Sequence, residues 1–75
     1  MAKYRTAIIA CGTIGRVHAR AWQGVPGNPV EIGACADTHP DARREFGEFF
    51  GIAPERRYAD YRQMLDAERP DIVDV

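Results

Sequence analysis

No part of this chain is apolar for long enough to cross a bilayer. A span takes roughly 20 residues, and runs such as Thr6–Ala10 are far shorter. The opening MAKYRTAIIACG carries no secretory cleavage pattern, which leaves the cytoplasm as the expected location and excludes a membrane partner. Cysteine is scarce. Two residues, Cys11 and Cys35, cannot build a disulfide framework, and their spacing fits no zinc signature, so two free thiols and no metal site are expected. A surplus of positive charge is also missing. Ten Lys and Arg face eleven Asp and Glu for a net charge of -1. Arg43-Arg44 and Arg56-Arg57 are the only adjacent basic pairs, so there is no stripe to track a phosphate backbone and nucleic acid is excluded as a partner. Repeats, linkers and low-complexity tracts are absent as well. What remains is ordinary globular composition, 45% hydrophobic and 28% charged, in 75 residues. A chain of that size buries only about 60% of its unfolded surface and is marginal on its own.

The positive signals begin at Thr6–Ala10, a continuous and partly β-branched apolar run suited to a strand covered on both faces. A glycine-containing turn follows. Ile14, Val17, His18, Ala21 and Trp22 then fall at i, i+3, i+4, i+7 and i+8, one stripe of an amphipathic helix. Gly24–Pro29 (GVPGNP) stops it. Val30–Ala36 reads as a second strand ending at Asp37. Pro40 suits a first helical position, with Thr38 or His39 as the cap, and Ala42, Phe46, Phe49 and Phe50 share one helical face before Gly51 at the C-terminal cap. Residues 55–59 (ERRYA) suit a short edge strand. Asp60 and Gln63 resemble a capping box for a short helix through Leu65, and Pro70–Val75 opens another buried strand. Strands alternating with helices predict an α/β fold, a Rossmann-like doubly wound parallel sheet of which these residues form the front half. The closing strand has no helix to cover it, so residues 1–75 are expected to be the N-terminal part of a dinucleotide-binding domain.

The chemistry lies in the first turn. A strand that ends in glycines and runs straight into a helix makes an anion site, because the first helical N–H groups lack intrahelical partners and the helix dipole favours negative charge there. Gly12 lets the backbone approach a pyrophosphate, Gly15 lets the helix pack on the first strand, and the N–H groups of Thr13, Ile14 and Gly15 are the candidate donors. Ala10 stands where the G-x-G-x-x-G fingerprint has its first glycine; alanine serves if φ is negative and costs roughly 1 kcal/mol or more if φ is positive. The fingerprint expects an acidic residue about 20 positions on, and Asp37 stands 22 after Gly15 at the end of the second strand. Its carboxylate suits the ribose hydroxyls and repels a 2′-phosphate, so NAD is expected over NADP; Thr38 beside it completes the cofactor set. Plainer roles stand beside these: glycines as turn punctuation, Asp37 as a cap, His18 as a packed hydrogen-bonded residue, His39 as an exposed residue near the adenosine, Trp22 and the phenylalanines as core, Arg16 and Arg20 as a solvated face.

Taken together, IIACGTIGRVHARAW, ACADTHPDARREFGEFFGI and YADYRQML with the closing RPDIVDV resemble the Gfo/Idh/MocA oxidoreductases, over nearly the whole chain. Gly12, Gly15 and His18, Asp37 through Gly51, Tyr58–Leu65 and the final DIVDV match that family's habits, and Ala10 departs from them. The resemblance implies an N-terminal Rossmann domain followed by a C-terminal α/β domain that binds substrate and forms a homo-oligomer interface. It implies hydride transfer between a nicotinamide cofactor and a hydroxyl-bearing carbon of a sugar, inositol or related polyol. The family's proton-transfer residues, a Glu-Lys-Pro lysine and a later Asp and His, have no counterpart in these 75 residues, so no catalytic residue is assigned. Two other functions use a similar turn: an S-adenosylmethionine-dependent methyltransferase, against which the tight Gly12-x-x-Gly15 entry argues, and a non-catalytic nucleotide-binding module.

Overall fold

The computed structural model describes residues 4–27 and 29–75. Asn28, inside the expected helix stop, lies outside them. Among the described residues four strands form one sheet: β1 (Tyr4–Ile9), β2 (Val30–Ala36), β3 (Arg57–Tyr58) and β4 (Ile72–Asp74). Their order is β3-β2-β1-β4, and every pairing is parallel. The helices α1 (Thr13–Gln23), α2 (Pro40–Phe50) and α3 (Tyr61–Glu68) connect them, with a 3-10 turn at Pro54–Arg56. The α/β expectation and its parallel sheet are the observed architecture.

The alternation of side chains along each strand divides the core between the two faces of the sheet. On one face Ile8 and Cys35 pack with Cys11, Ala19, Phe46 and Ile52 under α1 and α2. On the other, Ala7, Ala34 and Ala36 pack against Met64 of α3. Strand β2 carries a bulge: Thr6 pairs with Ile32 but Ala7 with Ala34, so Gly33 is the extra residue, and the Arg5 guanidinium lies over it. At the opposite end of the sheet from the helix N-termini, Arg5 Nη2 donates to Glu68 Oε1 (2.8 Å), whose other oxygen accepts from the Tyr58 hydroxyl (2.6 Å). This lock ties β1 and β3 to the end of α3.

Several local expectations shift. Strand β1 ends at Ile9, because Ala10 turns out of the strand with φ 78°. Only the far part of the apolar stripe of α1 meets the sheet: Trp22 packs against the core and His18 reaches β4, while Ile14 and Val17 are 67% and 58% exposed and the buried residues are Gly15 and Ala19. Small residues four apart let the helix axis come close to the strands, and the bulkier residues are then rotated to the side. Phe46 is fully buried, but Phe49 is exposed, with the Arg16 and Arg20 guanidiniums 5.9 and 5.4 Å from its ring centre. His39, not Thr38, occupies the cap position of α2 and makes no side-chain cap bond. Gly51 closes α2 in the left-handed conformation, φ 69°. Asp60 caps α3 by accepting from the Arg62 N–H (2.8 Å), and the helix runs past Leu65 to Glu68. The edge strand is two residues long, since the 3-10 turn takes up Pro54–Arg56.

Candidate dinucleotide site at the carboxyl ends of the strands

The N-terminus of α1 opens at the carboxyl end of β1, where open parallel sheets bind ligands. Gly12 caps the helix without a side-chain bond, and the first turn holds no acidic residue that would compete for the helix end. The first ladder bond runs from Arg16 N–H to Gly12 C=O (3.0 Å). The N–H groups of Thr13, Ile14 and Gly15 precede it, and Gly12, Thr13 and Ile14 are exposed. A Cβ on Gly12 would meet nothing within 4 Å, so the approach to the helix end is open. Gly15 is the reverse case. A Cβ there would run into the Ala10 carbonyl oxygen and lie 3.1 Å from its carbon, so no side chain fits between α1 and the strand end. The conformation of Ala10 is what places that carbonyl.

Asp37 stands at the same mouth and does two things. Its Oδ2 accepts from the Cys11 N–H (2.8 Å) and its Oδ1 from the His39 N–H (2.9 Å), with the His39 ring 3.3 Å away. The end of β2 is thereby latched to the glycine turn after β1. Desolvation pushes the carboxyl up, yet the His39 and Cys11 N–H groups and the His39 ring together hold it below the ordinary carboxylate value. Oδ1 is occupied by the two His39 nitrogens, Oδ2 keeps a free lone pair beside the Cys11 N–H, and the side chain is 13% exposed, toward the cleft. Arg43 donates to the Asp37 carbonyl (2.7 Å) and secures the backbone from below.

Beside this latch lies a cleft of about 200 Å³ lined by Ile9, Ala10, Ala36, Asp37, Thr38, Ala59 and Tyr61. Complete small-molecule sites run to roughly 300–1,000 Å³, so the cleft suits one portion of a larger ligand. A bigger hollow of about 510 Å³, between the start of β2 and the end of α2, sits at the other end of the sheet, away from every helix N-terminus and from Asp37. Of the residues expected from the sequence, the fold brings Gly12, Thr13, Ile14, Gly15, Asp37 and Thr38 to one end of the sheet. The spacing gave no sign of Ala59 and Tyr61 as cleft walls, nor of the Asp37–Cys11 bond; only their place in the Tyr58–Leu65 stretch hinted at the former. His39 is exposed beside Asp37, as expected.

Both thiols are buried and free. Cys11 is held well above the ordinary thiol value, first by its hydrogen bond to Cys35, then by desolvation and by the nearby charges of Cys35 and Asp37. Among the described residues no group of His, Cys, Asp and Glu is arranged to hold a metal, and no helix is long and apolar enough to cross a membrane.

Comparison with known proteins agrees with this geometry. The chain is 40% identical over 73 residues to a D-apiose dehydrogenase of Paraburkholderia graminis, covering 97% of the chain and 18% of that protein. An oxidoreductase from Agrobacterium radiobacter, solved in complex with NAD+, L-tartaric acid and magnesium, superposes with a TM-score of 0.81 at 32% identity, over 95% of this chain and 20% of its own. The WlbA dehydrogenase of Bordetella pertussis, in complex with NADH and UDP-GlcNAcA, shares the fold (TM-score 0.75, 24% identity, 95% of this chain and 21% of that one). The chain thus spans about a fifth of the length of these relatives. Residues 4–75 match the Gfo/Idh/MocA oxidoreductase family, NAD-binding Rossmann fold, and the chain belongs to that family.

Proposed function

We propose that this segment holds the adenosine diphosphate half of NAD for an oxidoreductase that moves a hydride between the nicotinamide and a hydroxyl-bearing carbon of a sugar, inositol or related polyol. The observation that carries the reading is the single mouth shared by two complementary groups. The N–H groups of Thr13, Ile14 and Gly15 face the diphosphate, with Gly12 leaving room for it, and the Asp37 carboxylate meets the ribose hydroxyls. Thr38, Ala59, Tyr61 and Ile9 wall the cleft beyond Asp37, where the adenine fits. A carboxylate at that point repels a 2′-phosphate, which favours NAD over NADP. Bound NAD supplies the hydride acceptor; the residues here bind and orient it, and none of them takes the substrate proton. Residues 1–75 are the N-terminal part of the cofactor domain in this reading, and a separate substrate domain, which also forms a homo-oligomer, completes the enzyme. The name of the Paraburkholderia relative supports a sugar as substrate, and the two buried free thiols accord with the cytoplasm.

The test is equilibrium binding of NADH by the protein and by Asp37→Ala. Loss of hydrogen bonds to a charged group is worth about 1–3 kcal/mol, or roughly 5–150-fold in affinity, with a smaller loss for NADPH. Unchanged NADH affinity refutes the ribose role, and binding of S-adenosylmethionine in place of NADH refutes the cofactor.

A further inference from the structure

On the α1 face of the sheet, away from the cleft, a second carboxylate is fully engaged. Asp74 is the last residue of β4 and pairs in register with Ile8, one residue before the carboxyl end of β1. Its Oδ2 accepts from the Trp22 indole N–H (2.7 Å), and its Oδ1 lies 2.7 Å from His18 Nδ1. A carboxylate only accepts, so the bond puts the ring proton on Nδ1. His18 and Trp22 are four residues apart on α1 and therefore one above the other. Both oxygens of Asp74 thus grip the shaft of one helix. They do so from the strand beside β1, the side toward which the strand order reverses and against which ligands sit in such sheets.

We propose that Asp74 is a positioning residue for the dinucleotide: by holding His18 and Trp22 it fixes where the N-terminal N–H groups of α1 stand relative to β1 and β4. This rests on the cofactor reading above. The start of α1 is set by two other contacts, the Asp37 latch on Cys11 and the fit of Gly15 against the Ala10 carbonyl. Neither resists a tilt of the helix about its own start, because both act at that point. Asp74 acts five to nine residues along, at about 1.5 Å rise per residue, and adds a directional hydrogen-bonded hold on the shaft to the packing of Ala19 on the sheet and the contacts of Arg16 and Arg20 with Phe49. Donors to an anion are effective only within a few tenths of an ångström of hydrogen-bond distance. A carboxylate that holds the shaft therefore governs affinity at the tip without touching the ligand.

Calorimetric NADH titration of the wild-type protein, Asp74→Leu, Asp74→Asn, Trp22→Phe and Glu68→Ala tests this, with emission of Trp22, the sole tryptophan, read in parallel. Asp74→Leu removes both acceptors and raises Kd about tenfold, with a shift in Trp22 emission. Asp74→Asn keeps an acceptor for the indole and offers a donor to the other tautomer of His18, so it restores affinity to within about twofold. Trp22→Phe drops one of the two bonds and gives an intermediate Kd; it also stands in if Asp74→Leu fails to fold. Glu68→Ala breaks the lock at the far end of the sheet, lowers the melting temperature and leaves Kd unchanged. Wild-type Kd in Asp74→Leu or Trp22→Phe overturns the proposal, and so does an equal loss of affinity in Glu68→Ala, which would make the effect general loosening. A wild-type protein that does not bind NADH overturns instead the cofactor reading on which it rests.

Discussion

Replacing Ala10 by glycine should stabilise this protein, the reverse of the usual effect of that change. Ala10 holds φ at 78°, outside the range that an L-residue with a Cβ adopts comfortably. That conformation costs about 1–2 kcal/mol in a residue other than glycine. It is held in place from both sides: the Ala10 N–H donates to the Ala36 carbonyl (2.9 Å), and its own carbonyl lies against Gly15. Glycine removes the strain but adds disorder to the unfolded chain, at roughly 0.5–1 kcal/mol. The alanine methyl is exposed, so little packing is lost with it. The balance is a gain of about 0.5–1 kcal/mol, which in a domain of this size raises Tm by about 2–8 °C. Thermal unfolding followed by circular dichroism or calorimetry reads this directly, and a companion Ala10→Val should lower Tm, since a β-branched residue is worse still at positive φ. A Tm for Ala10→Gly equal to or below that of the wild type would refute the argument, because it would mean that the turn does not require the conformation assigned to it.

Two further predictions follow from the titrating groups. Desolvation pushes the carboxyls of Asp37 and Glu68 up, but their hydrogen-bond partners outweigh it and leave both below their ordinary values of 3.8 and 4.5. A carboxyl lowered by folding contributes stability above its ordinary pKa and loses it as pH falls through the folded value, so Tm should hold from about pH 7 to about pH 5 and decline below about pH 4. Glu68→Gln should make that decline shallower, and a loss that sets in near pH 6 would contradict the assignment. Cys11 and Cys35 should resist an aromatic disulfide reagent in the native protein and titrate as two thiols in denaturant, since burial removes access and Cys11 is held in the protonated form; rapid native reaction would show that the turn opens.

The features that the sequence made legible are those fixed within a few residues of chain. The β2 boundaries, the stop of α2 at Gly51 and the cap at Asp60 each depend on one local preference: an apolar run, a left-handed glycine, an acceptor two residues before a free N–H. The first turn was legible in the same way, down to the condition on Ala10. If φ were negative the missing glycine would cost nothing; at φ 78° the departure from the fingerprint is a real strain. The burial of α1 was not legible, because helical periodicity locates apolar residues and says nothing of how near the axis can come. Gly15 and Ala19, which carry almost no hydrophobic signal, permit the closest approach and so define the buried face.

Contacts between distant residues were beyond reach for a different reason. Asp37 was expected at the cofactor mouth as a partner for ribose, and that assignment needed only its distance from the glycines. Its bond to Cys11 spans 26 residues, and Asp74 meets His18 across 56. No spacing rule encodes such pairs; they arise once β2 and β4 take places on either side of β1. The bulge at Gly33 belongs to the same class, since only the pairing of β1 with β2 reveals an extra residue. The consequence is an asymmetry in how the site is built. The groups proposed to face the ligand, Asp37 among them, lie in local motifs, whereas the contacts of Asp37 with Cys11 and of Asp74 with His18 and Trp22 act through the sheet. If Asp74 positions α1 as proposed, a substitution that leaves every fingerprint position intact weakens the site, and the Asp74 variants measure by how much.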